Sequence, residues 1–105
     1  MSFRVRLTRE AAEDLERLFD FVLDRELQRN DGEVDLAERA LQAIKDGISS
    51  LRRSPFTCRK TGPSPFLREL VIPFGRSGYV ALFEIVDNKN VVVAAVRRQL
   101  EDDYH

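Results

Sequence analysis

Three apolar runs, Leu67 to Phe74, Tyr79 to Val86 and Val91 to Arg97, follow one another with only Gly75-Arg76-Ser77-Gly78 and Asp87-Asn88-Lys89-Asn90 between them. Glycine, asparagine and aspartate accept the backbone angles of tight turns, so both separators predict hairpins and the segment must fold as an antiparallel meander. The last two runs are nearly continuous in Val, Ala, Leu and Ile, which suits central strands with helices packed on one face.

The preceding residues supply the helices. Phe3 to Thr8 alternates apolar and polar side chains, predicting a strand with Phe3, Val5 and Leu7 facing inward. From Arg9 the period lengthens: Ala12, Leu15, Leu18 or Phe19, Val22 and Glu26 recur at helical spacing, Thr8 stands where a cap is needed, and Glu10, Glu13 and Asp14 favour the positive end of the helix dipole. Asn30-Asp31-Gly32 ends this helix. Ala37, Leu41, Ile44, Ile48 and Leu51 then step by four and three, a seam that predicts a second helix antiparallel to the first, closed by Ser54-Pro55. Residues 55–66 hold three of the four prolines and form an irregular connection. The expected fold class is α+β: an N-terminal strand, an antiparallel helical hairpin, then a three-stranded antiparallel meander, forming one sheet with the helices on one face, as one domain over residues 1–105.

With 105 residues the chain has room for one core but not for an added cofactor-binding lobe. No stretch approaches the roughly 18 apolar residues of a membrane span, and the charged, alternating start is unlike a signal peptide. Cys58 is the only cysteine, which excludes an internal disulfide and fits a reducing cytoplasm. No phosphate-cradling loop and no metal-ligand spacing occur, so no cofactor and no metal is expected. The net charge of -1 conceals an asymmetry: residues 10–50 hold 12 acids against 5 bases, and residues 51–98 hold 9 bases against 3 acids. A basic half points to contact with nucleic acid or an acidic partner.

Several segments are similar to a known family. Leu67-Arg68-Glu69-Leu70 running through Phe74-Gly75-Arg76-Ser77-Gly78-Tyr79 into Val80-Ala81-Leu82-Phe83-Glu84-Ile85 resembles the arginine-bearing strand, Gly-Tyr turn and aromatic strand of the RelE/ParE superfamily of type II toxins. Leu7 to Leu15 resembles that family's passage from strand to helix, and Ala95-Val96-Arg97-Arg98-Gln99 resembles the ParE branch, the plasmid stabilisation proteins. The resemblance implies the toxin of a toxin–antitoxin system, a cytoplasmic protein that poisons DNA gyrase and is neutralised by a ParD-like antitoxin in a hetero-oligomer. RelE-type members instead cleave messenger RNA on the ribosome with basic residues that include an arginine directly after the Gly-Tyr pair. Here that position is Val80, and Val71, Ile72 and Pro73 stand where lysines would be expected. Cutting RNA through its 2′-hydroxyl needs a base, an acid and a cation over the phosphate, and an apolar side chain provides none of them.

The resemblance therefore implies a binding protein rather than an enzyme, with no catalytic residues. Its target contacts would be Arg68, Arg76, Tyr79, Arg97 and Arg98, and its antitoxin contacts Leu15, Phe19, Leu41, Arg52 and Arg53. Two alternatives stay open: a ribosome-dependent endonuclease using Arg97, Arg98, Tyr104 and His105, and a non-toxic relative that still binds an antitoxin. For each charged residue a solvated surface role competes with the functional one, and for Tyr79 the rival role is covering the core edge.

Overall fold

The computed structural model describes residues 2–99. Strand β1 (Arg4–Leu7) leads into helix α1 (Arg9–Leu27), followed by helix α2 (Asp35–Ser50) and a 3-10 turn at Pro55–Thr57. A two-residue strand β2 (Arg59–Lys60) precedes the meander β3 (Leu67–Phe74), β4 (Ser77–Ile85) and β5 (Asn90–Arg98). The meander and both turns lie where the apolar runs place them. All five strands form one sheet in the order β1-β5-β4-β3-β2, with α1 over β5 and α2 over β3. The sheet is not wholly antiparallel. β1 runs parallel to β5, because the helical hairpin carries the chain across the sheet before the meander begins.

Alternation places Tyr79, Ala81, Phe83 and Ile85 of β4 against the helices, where they meet Ala40, Ile44, Ile48 and Leu51 of α2 and its end. The α2 seam is as expected except at Leu41, which is only half-buried. In α1 Val22 and Glu26 are buried and Leu15, Leu18 and Phe19 half-buried as expected, and only the start differs: Ala11 is buried and Ala12 exposed. Leu7 is also less buried than alternation predicts, at 37% exposure, because β1 is an edge strand without a neighbour on its outer side.

Two buried carboxylates hold the helices in place. β1 ends at Leu7, so on that side β5 has no strand neighbour beyond Val93, and groups from the start of α1 take over the edge. The Thr8 backbone N–H donates to the Val93 carbonyl (3.0 Å), and its hydroxyl donates to that of Ala94 (3.2 Å) while accepting the Ala11 N–H (3.0 Å) as the helix cap. Asp14, which also pairs with Arg17, accepts the buried Val96 N–H at 2.9 Å. Replacing Asp14 by alanine leaves that amide unsatisfied, at a cost of about 1–3 kcal/mol. Chemical denaturation should show this loss together with faster hydrogen exchange at Val96, and Asp14→Asn, which keeps an acceptor, should recover part of it.

Glu26, 3% exposed, anchors the loop between the helices. Its carboxylate accepts the Glu33 backbone N–H at 3.0 Å and is flanked by Arg25 (3.2 Å) and Arg29 (3.3 Å). The Glu33 hydrogen bond, aided by the two guanidinium groups, outweighs desolvation and holds the carboxyl below its ordinary value of 4.5. A depressed carboxyl favours folding once it is ionised. The contribution is therefore complete above about pH 4.5 and is lost as the pH falls through the lower folded value. Glu26→Gln should lower the melting temperature at pH 7 and flatten its decline in acid, as measured by thermal unfolding from pH 7 to pH 3.

Candidate functional site

A β-bulge decides where the C-terminal arginines point. Leu82 pairs with Ala95 but Phe83 pairs with Val93, so Ala94 is an extra residue on β5. Strict alternation from Val91 and Val93 would turn Arg97 toward the helices. The extra residue instead turns Val96 and Arg98 to that side, with Arg98 opposite Tyr79, and leaves Arg97 on the open face opposite Val80. Thr8 and Asp14 bond to Ala94 and Val96, on either side of Ala95, and so fix the bulge.

On the helix side, Arg98 joins a cleft of about 250 Å³ lined by Phe21, Val22, Arg25, Leu36, Arg76 and Tyr79 together with the β3–β4 turn. The Arg98 guanidinium lies 4.1 Å from the Phe21 ring centroid, and that of Arg25 lies 5.8 Å from it. The Phe74 and Tyr79 rings are 6.3 Å apart. Burial pushes the Tyr79 hydroxyl above its ordinary value of 10.0 against the opposing pull of Arg25 and Arg98, so it remains a proton donor at neutral pH. Three of the expected target contacts, Arg76, Tyr79 and Arg98, thus meet in one place. Phe21 and Arg25 complete the cleft and were not singled out from the sequence; their one signal is the four-residue spacing that puts both on one face of α1.

The other expected contacts are dispersed. Arg97 is exposed on the open face, where Val71, Val80, Leu82, Val92 and Ala95 give its surroundings an apolar character. Arg68 is taken up by structure: its guanidinium donates to the carbonyls of Pro65 (2.8 Å), Phe56 (2.9 Å) and Cys58 (2.7 Å) and covers the Phe56 ring at 5.2 Å. Desolvation raises the Cys58 thiol above 9.0, which keeps it protonated at neutral pH. Tyr104 and His105 lie outside the described residues. Among the described residues no group of three or more His, Cys, Asp or Glu side chains could hold a metal ion, and no helix is long and apolar enough to cross a membrane.

Leu15, Phe19 and Leu41 lie together in a groove of about 610 Å³ between α1 and α2, rimmed by Glu16, Asp20, Glu38 and Lys45. Through Leu15 and Lys45 the groove continues into a larger hollow of about 920 Å³ along the free edge of β1, where Phe3, Val5 and Leu7 are bordered by Arg4, Arg52 and Lys89. Arg52 therefore joins this trough, while Arg53 is exposed and lines neither part.

The family model for the ParE toxin of the type II toxin–antitoxin system parDE matches residues 5–103. The chain belongs to the ParE toxin family. Among solved structures it is similar to the chromosomal ParDE TA system from P. aeruginosa, with a TM-score of 0.71 and 20% identity over 93% of this chain and 97% of that one. At that identity the likeness concerns the fold. No curated protein matches the chain. As a ParE-family toxin, the protein carries its aromatic and arginine cleft at the end of β4 and β5 and its apolar trough on the helical hairpin.

Proposed function

We propose that this ParE-family protein acts in the cytoplasm by binding DNA gyrase, not by cutting RNA, and that a ParD-like antitoxin silences it in a hetero-oligomer. The observation that carries this reading is the Val80–Arg97 pair on the open face. At the position where the RelE branch places a catalytic arginine, this chain presents a valine among Val71, Leu82 and Ala95, and among the described residues no acid or base stands directly opposite or next to Arg97, Glu69 and Glu84 lying farther along that face. A lone guanidinium suits contact with a carboxylate or phosphate of a macromolecular target better than it suits general acid–base catalysis.

The trough fits an antitoxin segment of two parts. Apolar side chains of an amphipathic helix would fill the Leu15–Phe19–Leu41 groove, and an extended acidic stretch would follow along the β1 edge past Arg52. Leu41→Glu would then weaken antitoxin binding while leaving target poisoning intact.

The deciding experiment sets a gyrase supercoiling and DNA-cleavage assay beside a ribosome-programmed RNA-cleavage assay, both with the free protein. Accumulated cleaved DNA with intact RNA is expected; codon-positioned RNA cuts with unaffected gyrase would establish the endonuclease reading, and inactivity in both assays the non-toxic one. The double variant Arg97→Ala/Arg98→Ala should stay folded by circular dichroism and inhibit gyrase at least about tenfold less, since each charge-assisted hydrogen bond contributes about 1.5–3 kcal/mol.

A further inference from the structure

We propose that the cleft formed by Phe21, Arg25, Arg76, Tyr79 and Arg98 is a binding site for a terminal phosphate group, such as that of a nucleotide or of a nucleic-acid strand end. The inference rests on the target-contact reading of Arg76, Tyr79 and Arg98 for its biological use, but binding itself needs neither gyrase nor an antitoxin.

The composition of the walls is the first reason. The cleft is lined by three arginines and no carboxylate, in a chain whose net charge is -1. Among the described residues no carboxylate pairs with Arg76 or Arg98, and Arg25 gives its Nε to Glu26, a side chain turned away into the helical loop. The cleft therefore concentrates positive charge that no carboxylate of the described residues neutralises, and an anion entering it removes that repulsion.

Arg98 is also held in position. Arg98 rests against the face of Phe21 at 4.1 Å, and Phe21 is 40% exposed, a cost in apolar surface that the stacking offsets. Stacking fixes a guanidinium by its face and leaves its in-plane N–H groups free to grip an oxyanion at two points. Arg76 projects from the β3–β4 turn after Gly75, whose φ of +61° sets the direction of the turn, and Ser77 lines the same space. The protonated Tyr79 hydroxyl adds a donor beside Arg25 and Arg98.

Phosphate is favoured over carboxylate by number: a monoester presents three terminal oxygens and close to two charges, which three separate guanidinium groups match, whereas a carboxylate saturates one fork. A volume of about 250 Å³ admits a phosphate and part of the group that bears it but not a duplex. The site is distinct from the open face of Val80 and Arg97, since the bulge at Ala94 puts Arg98 on the opposite side of the sheet.

The test is a titration of the isotopically labelled full chain with inorganic phosphate, a nucleoside monophosphate, and a short single-stranded oligonucleotide with or without a 5′-phosphate, followed by NMR at low ionic strength. The expected result is shifts centred on Arg76, Ser77, Tyr79 and the arginine side-chain N–H groups, with the phosphorylated strand binding at least tenfold more tightly than the bare one. Arg76→Ala, in an exposed turn that does not support the core, and Arg98→Lys, which keeps the charge but loses the fork, should each weaken binding about tenfold. Lys60→Ala, which removes the same charge at the far edge of the sheet, should change it less than twofold. Three results would each overturn the proposal: no shifts at millimolar phosphate, equal affinity for the two oligonucleotides, or an effect of Lys60→Ala as large as that of Arg76→Ala. Tightest binding of the free nucleotide assigns the site to small molecules, and tightest binding of the phosphorylated strand assigns it to nucleic-acid ends; either supports a phosphate site. Because the gyrase assay is separate, phosphate binding without gyrase inhibition would remove the gyrase reading and leave the site standing.

Discussion

Phe83→Ala is expected to destabilise the protein by about 3–5 kcal/mol, the range found when a buried aromatic side chain is removed from a core. Phe83 has no exposure and heads the largest fully buried side chains. It lies in the middle of β4 between Val93 on one neighbouring strand and Arg68 on the other, beneath the helices. Its ring occupies the point where the register with β5 shifts, so the surrounding backbone is fixed by the Thr8 and Asp14 contacts and has little freedom to collapse into the void. A domain of this size has about 5–15 kcal/mol of stability in total, so the loss would take a large share of it. Urea unfolding should show a strongly lowered midpoint with an unchanged slope. A loss below about 1 kcal/mol would mean that the core repacks around the site.

The second large effect is expected at Gly78→Ala. Gly78 is buried in β4 opposite Pro73, and a Cβ added there would fall on the Ile72 carbonyl oxygen and lie 3.1 Å from the Pro73 Cα. Both obstacles are backbone, so no side chain can turn aside, and β3 and β4 must separate at their turn. The expected cost is about 2–3 kcal/mol, toward the upper end for overpacking. The disturbance reaches the cleft, because the Gly78 carbonyl accepts the Gln99 N–H at 2.8 Å just beyond Arg98 and because Tyr79 is the next residue. Gly75→Ala is the control. It also alters the turn, but nothing lies within 4 Å of the added Cβ, so only the left-handed backbone opposes it, at about 1–2 kcal/mol. Thermal denaturation of the two variants should rank Gly78→Ala as the more damaging, and Gly78→Ala should shift the NMR signals of Tyr79 and Arg98 further than Gly75→Ala does.

The elements of this protein were legible because they rest on local physics. Alternation marks β1 and the meander, the four-and-three steps of Ala37, Leu41, Ile44, Ile48 and Leu51 mark α2, and Thr8 stands one residue before the helix that it caps. The family was legible in the run from Leu67 to Ile85, whose order of strand, turn and strand survives in the structure. Leu15, Phe19 and Leu41 came as a group only from the family resemblance, and it is the packing of α1 on α2 that brings them into one groove.

The site was only partly legible, and the reason is one residue. A strand read by alternation sends Arg97 inward and Arg98 outward; the bulge at Ala94 reverses the two, and nothing within residues 90–98 announces it. Its cause lies more than 80 residues earlier, in the Thr8 hydroxyl and the Asp14 carboxylate that bond to an edge of β5 left bare where β1 stops. The resemblance implied Arg68 as a target contact, and only the tertiary structure showed that its guanidinium also bonds three carbonyls of the preceding connection. Sequence alone determined the order of the two helices and the four longer strands, the helix cap, the turns and the family, all of which follow from spacing along the chain; the short strand β2, inside what reads as an irregular connection, forms only by pairing with β3. The tertiary structure decided the parallel joining of β1 to β5, the face on which each arginine stands and the meeting of Phe21, Arg25, Arg76, Tyr79 and Arg98, because these depend on which distant backbone groups remain to be satisfied once the sheet has formed.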